Sequence, residues 1–67
     1  MVDLLLDDYF DAQELTDFLY SQGYELVSRL YNGLQTLIKV EPLGDAIDLE
    51  SLVALMRDHF YVDITLV

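Results

Sequence analysis

The sequence predicts a two-layer α+β domain in the order β-α-β-β-α-β, and three observations carry that prediction. Two segments open with helix N-terminal signals and continue with apolar residues at helical spacing. Between them, two runs of strand formers flank an Asn-Gly dipeptide. The closing stretch alternates strictly, and the opening stretch places Val2, Leu4 and Leu6 on one side. With 54% apolar residues the 67-residue chain has material for a core, and its length suits one small domain spanning 1–67. A domain of this size buries only about 60% of the surface its unfolded chain exposes, so modest stability is expected.

In Val2–Leu6 the residues Val2, Leu4 and Leu6 face one way and Asp3, Leu5 and Asp7 the other, which reads as a strand. The alternative is a short separate helix and an α-β-β-α-β arrangement. A single helix running on to residue 22 would leave Leu6 and Phe10 off the apolar arc. Asp11 then stands as N-cap, with Glu14 placed to close a capping box and Leu15 to staple against Phe10. Ala12, Leu15, Phe18 and Leu19 share one arc and Gly23 offers a stop, so a helix is expected over 12–22. Residues 24–31 and 34–40 form the hairpin. A two-residue type I′ turn at Asn32-Gly33 sets Tyr31 opposite Leu34, Arg29 opposite Thr36 and Val27 opposite Ile38, with Leu26, Leu30 and Leu37 on the other face. Pro42 and Gly44 end it. Ile47, Asp48 as N-cap, and Leu49, Leu52, Val53 and Met56 predict a helix over 49–59. Phe60, Val62, Ile64 and Leu66 then alternate with Tyr61, Asp63 and Thr65 as the last strand. The six elements make up the ferredoxin-like order. Aligning Asp11 with Asp48 also aligns Leu15 with Leu52, Leu19 with Met56, Tyr24 with Tyr61 and Val27 with Ile64, a weak helix–strand repeat.

Thirteen acidic residues against three basic ones give a formal charge of −10. Such a surface repels anionic lipid and phosphate, which argues against direct nucleic-acid or membrane binding and in favour of positively charged partners. Tyr24, Tyr31 and Tyr61 can stack bases from strands, but Arg29, Lys39 and Arg57 are too few to hold a phosphate backbone. With no cysteine there is no thiolate chemistry or disulfide framework, and a reducing, cytoplasmic setting is expected. No apolar run, Leu4-Leu5-Leu6 and Leu52-Val53-Ala54-Leu55-Met56 included, approaches a bilayer span, and no basic n-region precedes the first of them. The single histidine, His59, has no sequence tie to Ser21, Ser28 or Ser51, and a place in the last helical turn explains it. No enzyme activity and no cofactor are expected. The acids match no calcium-loop spacing, so no metal site is assigned, and helix capping accounts for Asp11 and Asp48. Glu50-Ser51-Leu52 lacks the Asp-Ser-Leu attachment site of acyl carrier domains.

What remains is the placement of charge. Asp7, Asp8 and Asp11 precede the first helix, and Glu14 and Asp17 lie opposite its apolar arc. Glu41, Asp45, Asp48 and Glu50 crowd the approach to the second. Carboxylates on a folded scaffold can imitate a series of phosphates toward Arg and Lys rows built for DNA or RNA. In size, acidity, absence of cysteine and mixed α/β build, the chain resembles the small phage-encoded inhibitors of host defence, among them anti-CRISPR and anti-restriction DNA mimics. The resemblance spans the chain as composition, with no residue-by-residue match. It implies a non-enzymatic inhibitor, active in the cytoplasm of a bacterial host, that blocks a basic nucleic-acid-binding protein or ribonucleoprotein complex. The nine acids Asp7, Asp8, Asp11, Glu14, Asp17, Glu41, Asp45, Asp48 and Glu50 are the expected partner-binding residues. A second expectation is a small interaction or regulatory domain that forms a homodimer through its sheet, with acidity serving solubility. Leu26, Leu30 and Leu37 cannot all be buried beside Val27, Ile38 and Val40 under one layer of helices.

Overall fold

Alternation decides the N-terminus in favour of a strand. In the computed structural model, which describes residues 1–67, the elements are β1 (Val2–Leu6), α1 (Ala12–Ser21), β2 (Tyr24–Tyr31), β3 (Thr36–Pro42), α2 (Leu49–Phe60) and β4 (Ile64–Leu66). This is the predicted β-α-β-β-α-β order. The four strands form one antiparallel sheet in the order β2-β3-β1-β4, with the first and third strands central.

Because side chains alternate across a sheet, one face collects Leu4, Leu6, Thr36, Ile38, Val40 and Ile64, all buried. Leu15 and Leu19 of α1 and Leu52, Val53 and Met56 of α2 close over that face, joined by Phe10 and Tyr24. The opposite face has no helix over it. Both helices start as their sequences require: Asp11 accepts a hydrogen bond from the Glu14 N–H at 2.8 Å, and Asp48 accepts from the Ser51 N–H at 3.2 Å. At the second cap the Ser51 hydroxyl adds a bond, donating to Asp48 at 2.8 Å, whereas at the first cap only the Asp11 half of the expected capping box forms and the Glu14 carboxylate does not bond back to the Asp11 N–H.

Four local expectations need correction. α1 stops at Ser21, a residue early, where Gln22 caps it and Gly23 turns the chain at φ +85°. A Cβ on Gly23 would stand 2.7 Å from the Ala46 Cα, so the loop before α2 also requires glycine there. α2 runs to Phe60, a residue late, and ends at Tyr61 in the left-handed region at φ 53°. Phe60 and Tyr61 are therefore not in the closing strand, and β4 keeps only the three residues that find partners in Leu4–Leu6. The helix–strand repeat fails at the same point: Tyr24 is buried at the start of β2, whereas Tyr61 is exposed.

The hairpin register also differs. Asn32 does not occupy a central position of the turn. Its side chain accepts from the Leu34 and Gln35 N–H groups at 3.1 and 2.8 Å, and its own N–H donates to the Gln35 carbonyl at 3.1 Å. This moves the turn onto Gly33-Leu34, with Gly33 at φ +95° in the first central position. Tyr31 thus pairs with Thr36, Arg29 with Ile38 and Leu30 with Leu37. A bulge at Val27 shifts the pairing once more, to Leu26 opposite Val40, which turns Leu26 onto the core face instead of the open one.

Candidate partner-binding acidic face

The residues from Asp7 to Asp11 connect β1 to α1, and neighbouring elements hold this connection from several sides. Thr36, the one buried polar residue, donates its hydroxyl to the Asp8 carbonyl at 2.7 Å and accepts from the Phe10 N–H at 3.2 Å. Arg29 reaches across from β2, donating through Nε to the Phe10 carbonyl, and its guanidinium lies 5.0 Å from the centre of the Tyr9 ring. Tyr9 in turn meets Tyr31 edge-on at 4.7 Å. The Asp7 N–H donates to the Asp63 carbonyl at 3.0 Å, and Gln35 Nε2 donates to the Asp7 carboxylate at 3.3 Å. Buried backbone groups that are otherwise unpaired are costly, so Thr36 and Arg29 fix this loop as well as fill space.

The loop sits at the end of the sheet that carries the hairpin turn, since Leu6 pairs with Thr36. Asp7, Asp8 and Asp63 line an open depression there with Arg57, Tyr61 and Val62. Asp11 begins α1 beside it, and Glu14 and Asp17 continue along the exposed side of that helix, where Gln13 Nε2 donates to Asp17 at 2.9 Å. The first five acids are all exposed, and the depression brings Asp7, Asp8 and Asp63 together. Asp63 is an addition that sequence reasoning missed. Its alternation marked it only as outward-facing, and the β1–β4 pairing is what brings it to Asp7.

The second group goes elsewhere. Val2 pairs with Val40 at the start of β1, so Glu41, Asp45, Asp48 and Glu50 follow from the opposite end of the sheet. There Glu41 faces Glu25 directly across β2 and β3. The loop is held by the Leu43 N–H donating to the Gly23 carbonyl and the Tyr24 hydroxyl donating to the Ile47 carbonyl, both at 2.7 Å. The Ser51 hydroxyl, and after it the Ser51 N–H, holds the Asp48 carboxyl below its usual value of 3.8 by stabilising the charged form.

Three cations stand against thirteen acids. Arg57 lies in the first depression, but its Nη2 donates to the Ile64 carbonyl at 2.7 Å. Arg29 is tied to Phe10 and keeps Nη2 buried without a partner. His59 stacks on Phe18 at 4.6 Å and meets Phe60 edge-on at 4.7 Å, an aromatic seam between the helices. Ser21 and Ser51 donate to the Phe18 carbonyl and to Asp48. No three His, Asp or Glu side chains converge as a metal-ligand set, and no helix is long and apolar enough to cross a membrane.

No protein-family model matches the chain, and neither a curated protein nor a solved structure matches it.

Proposed function

We propose that the chain is a non-enzymatic inhibitor that covers a basic nucleic-acid-binding surface of another protein or ribonucleoprotein, of the kind host-defence complexes use to hold target DNA. The contact face runs from Asp7, Asp8, Asp11 and Asp63 along Glu14 and Asp17. One observation carries the reading: the loop bearing the first acids is anchored to β2 through Arg29, to β3 through Thr36 and to the residues Gln35 and Asp63 beside the strands, in a chain with three cations against thirteen acids. The carboxylates are thereby preorganised and largely uncancelled. A row of arginines or lysines evolved for phosphates meets acceptors of the same sign and reach, and the field of a −10 chain speeds the encounter at low salt. The acids at the other end of the sheet are assigned to the field rather than to the footprint.

The test is capture of partners from a bacterial lysate on the immobilised chain, with salt and duplex DNA as competitors and mass spectrometry to identify what is bound. The expected partner is a nucleic-acid-binding complex that DNA displaces. A Glu14→Gln/Asp17→Asn double variant should hold it about tenfold more weakly at low salt, with the difference shrinking as salt screens the contact. Capture indifferent to salt, DNA and these substitutions would rule the proposal out.

A further inference from the structure

The uncovered face of the sheet is ordered in rows. Leu30 of β2, Leu37 of β3, Leu5 of β1 and Thr65 of β4 stand opposite one another in a line across all four strands. The next row is Ser28, Lys39 and Asp3, continued by Val67, whose N–H donates to the Asp3 carbonyl at 3.0 Å. One row is apolar, with Leu30 67% exposed. The other carries the only lysine of the chain, beside an aspartate, on the two central strands.

We propose that this face binds a second copy of the same chain, sheet on sheet, about a twofold axis running along the strands between the two sheets. That axis lays β3 of one copy over β1 of the other and keeps the rows aligned. Leu37 then meets Leu5 of the partner subunit, and Lys39 meets Asp3 of the partner subunit. The symmetry repeats both contacts, so every central position is matched. Aligned sheets cross at about 30°, and residues near the crossing point stay stacked through that rotation. A second copy supplies the carboxylate that Lys39 faces and the leucines that the apolar row requires.

Four strands roughly 4.8 Å apart and five residues of about 3.3 Å each give a footprint of roughly 19 by 16 Å, about 300 Å² per copy and below the range of stable specific interfaces, so only a weak, reversible dimer is expected. Two chains of charge −10 also repel, and salt screens that repulsion while leaving the leucine contacts intact. Dimerisation therefore tightens with salt, the opposite of the acidic-face contact proposed above, and neither proposal depends on the other.

Sedimentation velocity of the full chain from ten micromolar to one millimolar, at low and high sodium chloride, tests this. The expected result is a monomer–dimer equilibrium whose Kd falls several-fold in high salt. Leu37→Glu and the more exposed Leu30→Glu should each weaken it at least tenfold, with circular dichroism confirming the fold. Leu55→Glu, on the exposed side of α2, should leave it unchanged. Asp3→Lys and Lys39→Asp should each weaken the dimer, and the double exchange should restore it. A chain that stays monomeric throughout would overturn the proposal. So would a dimer indifferent to Leu30→Glu and Leu37→Glu, or a double exchange no tighter than the single variants.

Discussion

At Asp48 a single carboxylate does two jobs, ending the backbone of one loop and starting a helix. Its charged form is what Ser51 binds, so its folded-state pKa lies below the value it has in the unfolded chain. The contribution to stability is therefore present above pH 3.8 and is lost as the pH falls through the lowered value. Thermal melts of Asp48→Ala against the parent chain should differ more at pH 6 than at pH 2, the gap narrowing as the pH falls below 3.8. A gap that stays constant across that range would mean the cap does not depend on charge. The caps at Asp11 and Asp48 were readable from sequence because they act within three residues of themselves. Thr36 and Arg29 were not. Thr36 bonds to Asp8 and Phe10 across 28 and 26 positions, and Arg29 reaches Phe10 across 19. Residue type alone marked one as an ordinary strand former and the other as a surface charge.

Elements were legible where one period dominated. Both helices and the two arms of the hairpin have one dominant spacing, whereas Val2–Leu6, with Leu5 breaking its alternation, left a short helix open and was settled by pairing with β3 and β4. Register is a subtler property, because Asn32-Gly33 and Gly33-Leu34 are both workable turn centres and the Asn32 side chain decides between them. The bulge at Val27 has no sequence marker: Val27 is itself a good strand former, and it is left over because both flanking stretches already have partners. One consequence of the observed register is that Glu25 and Glu41 are directly opposed and exposed. Like charges in that position destabilise a sheet, so Glu41→Lys should raise stability by about 0.5 kcal/mol in urea denaturation at neutral pH and low salt. No gain, or a loss, would show that the pair is already relieved in solution.

For the whole molecule, composition foretold an acidic surface but not its division into two ends. That division follows from the antiparallel order of the strands, which sends β1 out toward the hairpin turn and β3 out toward α2. Thirteen carboxylates on so small a body strain it electrostatically, and the melting temperature should rise by several degrees between 10 mM and 500 mM sodium chloride as that strain is screened. A flat or falling response would mean that attractive pairs outweigh repulsion. The sheet order also sets a sequence of events in time. β1 lies between β3 and β4, yet its nearest partner positions are 30 residues on in β3 and 58 on in β4, so long loops must close before the central strand has either neighbour. α1 and the hairpin need only local contacts and can form ahead of it. β4, the last to be made, is also the shortest strand, with three residues holding one edge of β1. The sheet should therefore breathe first along the β1–β4 seam, and its amide protons should exchange with solvent well before those shared by β1 and β3.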